Sequence, residues 1–358
     1  MSSYADTLNE INLAPNRTTT TATVTIGNPG ACGTSGTNAL LTATNLPVGV
    51  TVTFATSSLT VPGTTTMTVE ANSCAVPGVY TISINATIGA GSQSTTYTIT
   101  IAPSVVDITA SVNNLNLHNL VGNPSCGVSV TFNIDASVVI GSASAGQPSL
   151  QTGPFGSGSD IVVNNNGTIA GKGGRGGSND GHNLNNCPDV DGQPGGNAIQ
   201  LDFADAVINN NGTIGGGGGG GGAGGALSGG NPCFDYKAGT GGGGGAGATP
   251  GDGGPDGAPD ACNPGNPGTL LAGGTGGPNG PCGVSCFLSF GTTYRPGVGG
   301  NGGALGQPGA NGGGPNGFLG GGLGVCTPGN GGPAGCALKT NGNSYTLNGN
   351  AVLGAICP

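Results

Sequence analysis

Eight consecutive glycines occupy residues 215–222, and they bound what this chain can become. Of its 358 residues 81 are glycine, and 62 of the 169 residues from Gly167 to Gly335 are glycine. Such a tract has no side chains with which to build a core, and glycine loses more backbone freedom on ordering than any other residue. An ordered state must therefore satisfy each N–H and C=O through neighbouring backbone. Collagen needs glycine strictly at every third residue. The octet and residues 269–277 (Thr-Leu-Leu-Ala-Gly-Gly-Thr-Gly-Gly) break that rule. The remaining solution keeps the left-handed helix with three residues per turn, which has no internal hydrogen bonds, and sets short copies side by side. Only glycine lets backbones approach so closely. The 25 prolines and the eight cysteines after position 180 offset part of the ordering entropy.

The tract begins at a repeat. Residues 161–169 read Ile-Val-Val-Asn-Asn-Asn-Gly-Thr-Ile, and residues 206–214, 45 positions later, read Ala-Val-Ile-Asn-Asn-Asn-Gly-Thr-Ile. Each copy is a short apolar strand running into an Asn-Asn-Gly turn. Each is followed by glycine: residues 171–177 after the first, the octet after the second. The copies read as launch points for glycine helices.

Composition removes several function classes. Net charge is −9 with only six Lys and Arg, which is too few for a nucleic-acid surface. No apolar run is long enough to span a membrane. Residues 1–10 have neither a basic nor an apolar region, so no signal peptide is expected. Eleven cysteines nevertheless point to an oxidising environment. A virion protein made in a bacterial cytoplasm and oxidised after release satisfies both observations. An odd number leaves at least one thiol free or bonded to another chain. Cys282 and Cys286 form a single close pair, with His118 and His182 the only histidines, which favours disulfides over zinc. Asp189, Asp191, Asp252, Asp256 and Asp260 could hold calcium, but Asp-Gly turns explain them as well. No metal and no cofactor are expected. Residues 171–174 (Gly-Lys-Gly-Gly) are not a phosphate-binding loop. Two histidines and no nucleophile elbow leave little for catalysis, so an enzyme is not expected. An ice-binding glycine-helix bundle is a further class that this composition admits.

Upstream of the glycine, segments 18–26, 39–44, 50–54, 64–70, 79–87 and 95–101 are β-branched runs separated by Gly, Pro and Asn turns. They predict a small β-sandwich over 16–103. Residues 45–50 and 76–82 resemble immunoglobulin-like modules of bacterial surface and phage proteins. Cys32 and Cys74, the only cysteines in that span, are its expected disulfide. Residues 1–15 are expected to form a docking arm on a neighbouring subunit, and 104–165 a β-rich connector.

Six pieces then occur in a set order: 137–142 (Ser-Val-Val-Ile-Gly-Ser), 150–153 (Leu-Gln-Thr-Gly), 158–161 (Gly-Ser-Asp-Ile), 165–174 (Asn-Asn-Gly-Thr-Ile-Ala-Gly-Lys-Gly-Gly), 195–199 (Gly-Gly-Asn-Ala-Ile) and 210–216 (Asn-Asn-Gly-Thr-Ile-Gly-Gly). With the closing stretches 335–345 and 354–356, this order resembles the glycine-rich tip domain of tailed-phage fibres. That domain occurs in host-specificity proteins of lambda-like phages and in adhesins capping T-even-like long tail fibres. The resemblance covers about 107–358. The cysteines scattered through the glycine depart from the family pattern and point to a virion hardened by disulfides.

The resemblance implies an all-β fold with stacked polyglycine II helices over 166–358 and a C-terminal β segment. It implies a virion fibre or spike protein whose loops contact a host glycan or outer-membrane protein. The side chains available for contact are Phe234, Asp235, Tyr236, Phe287, Phe290, Tyr294, Arg295 and Phe318; aromatic loop residues are efficient anchors. Packing over the glycine is the competing role for them. Other virion proteins would bind the arm and the sandwich, and a homotrimer is one open assembly. The rival reading is a structural decoration protein of capsid, collar or tail.

Overall fold

The computed structural model describes residues 10–13, 18–27, 36–72, 74–178, 190–228, 239–255, 263–278, 297–315 and 324–358. Among them the structure is all-β, with one short helix. Two units are distinguished: residues 1–106, 118–132 and 155–161 form one, and residues 107–117, 133–154 and 162–358 the other.

Residues 10–101 of the first unit form eight described strands: β1 (Glu10–Leu13), β2 (Thr18–Ile26), β3 (Asn38–Thr44), β4 (Val50–Phe54), β5 (Ser58–Thr60), β6 (Gly63–Ala71), β7 (Gly78–Ile88) and β8 (Gly91–Ile101). One sheet runs β1-β8-β7-β3-β5 and the other β2-β6-β4. Period-two burial drives them together: β6 buries Thr65, Met67, Val69 and Ala71 and turns the residues between outward. Met67 and Val69 meet Ile82, Tyr97 and Ile99 of the other sheet in one core. All six expected strands form. β5 escapes a sequence reading because only Leu59 of its three residues is buried. β1, within the expected arm, pairs in parallel with β8, Glu10 opposite Thr98 through Leu13 opposite Ile101.

The expected Cys32–Cys74 disulfide is corrected. Cys74 is bonded to Cys126, with Cα atoms 5.7 Å apart. Asn72 Oδ1 accepts the Cys74 N–H at 2.8 Å, which fixes the turn. Cys126 lies in the 118–132 segment of the same unit. Either partner would close a long loop, so spacing does not choose between them. Proximity in the folded chain does. Cys32 lies outside the described residues.

Downstream, the chain winds through successive coils. The first has β9 (Ser104–Ile108), β10 (Val112–Asn113), β11 (Leu115–Asn116) and the helix Leu117–Leu120. The second has β12 (Ser129–Ile134), β13 (Val139–Gly141) and β14 (Leu150–Gln151). The third has β15 (Asp160–Asn165), β16 (Thr168–Ala170) and β17 (Ile199–Gln200). The fourth has β18 (Ala206–Asn210) and β19 (Thr213–Gly215). After an insertion containing β20 (Ala226–Ser228) and β21 (Gly324–Cys326), it closes with β22 (Leu338–Lys339). The last has β23 (Tyr345–Gly349) and β24 (Ile356–Cys357).

Corresponding strands stack into three sheets: β9-β12-β15-β18-β23, β10-β13-β16-β19 and β11-β14-β17-β22-β24. The repeated phrase is two adjacent rungs. Val162 lies opposite Val207 and Asn165 opposite Asn210, and Ile169 lies opposite Ile214. Tyr345–Gly349 is a further rung on Ala206–Asn210 that shares little of their sequence. Inward rows are aliphatic: Ile140, Ile169 and Ile214 in one sheet, and Leu150, Ile199 and Leu338 in another, are at most 1% exposed.

Asparagines form ladders along the stack. On the outer row Asn133 Nδ2 donates to Asp107 Oδ1, Asn164 to Asn133 and Asn209 to Asn164, each at 2.8 Å, and Asn348 to Asn209 at 3.0 Å. Asp107 can only accept when ionised, so it fixes the direction of the row. On the inner row Asn165 donates to Asn210 at 2.8 Å, and both are fully buried.

Candidate functional site

The glycine tracts enter as insertions between solenoid strands, 171–198 in the third coil and 216–337 in the fourth. Among the described residues there, ten runs alternate in direction, as the order of their backbone bonds shows. Runs 171–178, 215–228, 249–255, 272–278 and 307–315 lead away from the solenoid. Runs 190–196, 239–248, 263–269, 297–305 and 324–336 return to it.

The run starting at Gly215 shows how they associate. Gly219, Gly222 and Gly225 donate to Gln307, Ala310 and Gly313 at 2.9–3.0 Å. Gly217, Gly220 and Ala223 donate to Gly196, Gln193 and Val190 at 2.8–2.9 Å. Gly218, Gly221 and Gly224 donate to Ala246, Gly243 and Thr240 at 2.8–2.9 Å. Its carbonyls accept with the same period. Gly171, Gly174 and Gly177 donate to Gly215, Gly218 and Gly221. Gly297, Gly300 and Gly303 donate to Gly225, Gly222 and Gly219. Gly329, Gly332 and Gly335 donate to Ala223, Gly220 and Gly217. One run thus bonds six neighbours, giving protons to three and receiving them from three. An α-helix would bond to itself and a strand would bond in two directions only. At Gly220 the space between runs admits no side chain: a Cβ there would overlap the Arg175 carbonyl.

The near end of the array sits on the solenoid through Leu305, which is 4% exposed and clusters with Ala170 and Ala246. Leu305→Ala is expected to cost about 2–4 kcal/mol, measured by urea unfolding of the whole chain. A loss below about 1 kcal/mol would mean that backbone bonds alone seat the array.

Towards the far end, run 171–178 is followed in the chain by run 190–196, 215–228 by 239–248, 249–255 by 263–269, 272–278 by 297–305 and 307–315 by 324–336, and the residues between the members of each pair lie outside the described residues. The ends are cross-tied. Ser178 Oγ donates to the Pro255 carbonyl at 3.5 Å and Asn263 Nδ2 to that of Pro278 at 3.1 Å. Ala226–Ser228 pairs with Gly324–Cys326. Thr240, fully buried, donates to the Gly277 carbonyl at 2.7 Å and accepts the Gly299 N–H at 2.6 Å. It ties three runs together, a role that sequence reading missed because nothing marks one threonine among glycines as central.

The candidate contact residues Phe234, Asp235, Tyr236, Phe287, Phe290, Tyr294, Arg295 and Phe318 lie outside the described residues, as do Cys282 and Cys286. In the sequence they fall between runs 215–228 and 239–248, runs 272–278 and 297–305, and runs 307–315 and 324–336. Of the acidic candidates, Asp191 Oδ1 accepts the Asn330 N–H at 2.7 Å and Asp252 is exposed; Asp189, Asp256 and Asp260 lie outside the described residues. Among the described residues no group of His, Cys, Asp or Glu could hold a metal ion, and no helix is long and apolar enough to cross a membrane.

Two comparisons with known proteins find similarity. The crystal structure of the gp37-gp38 adhesin tip complex of the bacteriophage S16 long tail fibre is similar at 25% identity, covering 71% of this chain and 82% of that one, with a TM-score of 0.43. No curated protein matches. The family model for the phage tail fibre adhesin Gp38 matches residues 95–357, which takes in the solenoid and the entire glycine array. The chain belongs to the phage tail fibre adhesin family.

Proposed function

We propose that the far end of the glycine array is the surface this adhesin applies to its host. The observation that carries the reading is topological: five times an outward run is followed in the chain by a run of opposite direction, and the eight contact candidates fall in sequence between the members of three of these pairs. A rigid scaffold that gathers variable segments at one end is how folds commonly present binding residues. We read the array itself as polyglycine II helices, on the strength of its three-residue bonding period. The scaffold then carries little chemistry, and specificity lies with Phe234, Tyr236, Phe287, Phe290, Tyr294, Arg295 and Phe318, with Asp235 beside them. The receptor is a host-surface glycan or outer-membrane protein, since aromatic anchors suit either.

The immunoglobulin-like reading of 16–103 rests on its two packed sheets. Most of that segment precedes the family match, and we assign it, with the arm 1–15, to attachment on other virion proteins. Gp38 in the related crystal structure is in complex with gp37; a fibre protein is accordingly the partner we propose here.

Purified full-length protein should block phage adsorption to host cells at saturating dose. A variant with Phe234, Tyr236, Phe287, Phe290, Tyr294 and Phe318 changed to Ser should lose the block while keeping its melting temperature within a few degrees. Full blocking by that variant would refute the assignment of these segments.

A further inference from the structure

Residues 350–357 form a strap across the root of the glycine array. Leu353 accepts the Gly216 N–H at 3.1 Å and donates its own N–H to the Ile214 carbonyl at 2.8 Å, so it brackets the point where the chain leaves the solenoid. Gly306, on a near-end turn of the array, donates to Gly216 at 2.7 Å. Its Cα lies so close to the strap that a Cβ would overlap the Leu353 carbonyl. The strap continues into β24, where Ile356 and Cys357 pair with Leu338 and Lys339. It buries little of its own apolar surface: Leu353 is 43% and Ile356 46% exposed, whereas Leu338 on the adjacent rung is 1% exposed. Non-covalent burial therefore holds it weakly. A covalent bond holds it as well. Cys357 is joined to Cys336, the residue at which the array re-enters the solenoid, and Cys336 is anchored by its N–H to Asn197 Oδ1 at 2.9 Å.

We propose that Cys336–Cys357 is the buckle of a redox-operated strap: the disulfide clamps the exit and the return of the glycine array under residues 350–357, and its reduction releases them. Release is a two-electron step. A dithiol reductant cleaves the S–S bond, Cys336 and Cys357 each gain a proton to become thiols, and the dithiol is oxidised to its own disulfide. A reducing cytoplasm keeps such a strap open, and an oxidising exterior closes it. The array root is then clamped only after the protein has left the compartment that made it.

The test is hydrogen exchange on the intact chain, oxidised, reduced with dithiothreitol, and as the double variant Cys336→Ser/Cys357→Ser. Closing a loop of this length restrains opening on the order of a hundredfold. Amides of 345–357, Gly216 and Gly306 are therefore expected to exchange on the order of a hundredfold faster in the reduced protein and in the variant. The rungs Val162–Asn165 on Val207–Asn210 should be unchanged. Unchanged exchange across the strap in the double variant overturns the proposal. Equal acceleration throughout the chain also overturns it, because the bond would then act globally. Cys74→Ser/Cys126→Ser should leave the strap amides as they are; the same acceleration in that variant would remove the assignment to Cys336–Cys357.

Discussion

Gly220→Ala is expected to unfold the glycine array. Gly220 stands in the centre of the run that bonds six neighbours, and an added methyl would overlap the Arg175 carbonyl and press on the Gly176 amide. These are backbone atoms, each tied into the next run, so no rotamer change can relieve the clash. Separating the runs breaks the period-three bonds on that side and leaves buried N–H and C=O groups unpaired, at about 1–3 kcal/mol for each. The expected loss is at least about 3 kcal/mol, read as a separate low-temperature transition in calorimetry of the full chain. Gly314→Ala is the control. Its Cβ would meet nothing within 4 Å and its backbone is not in the left-handed region, so stability should hold or rise slightly, because alanine restricts the unfolded chain. Equal stability of the two variants would mean that the runs can spread, and the close-packed account of the array would fail.

Asn210→Leu should be the most damaging change of similar volume in the solenoid. Asn210 is fully buried. It accepts from Asn165 Nδ2 at 2.8 Å and donates to the Asn350 carbonyl at 3.1 Å. Asn165 Oδ1 already lacks a partner. The reason lies one rung back. Asn166 donates to the Ile134 carbonyl just as Asn211 donates to that of Asn165, which sets Ile134 next to Asn165, and isoleucine has no donor to offer. Leucine at 210 removes the short bond from Asn165, which keeps only a 3.3 Å contact to the Thr213 carbonyl. The cost should be about 2–5 kcal/mol, measured by urea denaturation. Adding Asn165→Leu should recover part of it, since replacing both partners of a buried bond costs less than orphaning one. Asn209→Ala, on the half-exposed outer ladder, should cost about 1 kcal/mol or less. Equal losses at 209 and 210 would show that burial does not set the strength of these ladders.

Much of this architecture is legible in the residues. Period-two alternation of Thr with Val, Ile and Met places six strands of the first unit. The 45-residue spacing of Asn-Asn-Asn-Gly-Thr-Ile equals the register offset of two stacked rungs, because identical side chains stack best on themselves in parallel pairs. The rungs with divergent sequence were less visible. Tyr345–Gly349 stacks on Ala206–Asn210 with Asn348 alone continuing the outer ladder. The contact candidates were legible as residue types, the few aromatics in a glycine tract. The alternating direction of the runs that flank them was not, since it depends on which neighbours each run bonds. The disulfide at Cys74 was misread for the same reason: spacing offers partners, and only the folded path brings Cys126 within reach.

The sequence by itself determined that the glycine runs between residues 167 and 335 could have no ordinary core. It determined that strands of β-branched residues would frame the glycine, and that the Asn-Gly phrases would be where one gives way to the other. The tertiary structure alone decided which run lies beside which, where the chain turns back, and that residues 350–357 cross the array's root. The physical reason is the glycine itself. A hydrophobic side chain marks its residue as inward and a charged one as outward, but every glycine offers the same N–H and C=O. Which neighbours take them depends on where the solenoid launches each insertion, and on lengths of run that must bring every return back to its rung.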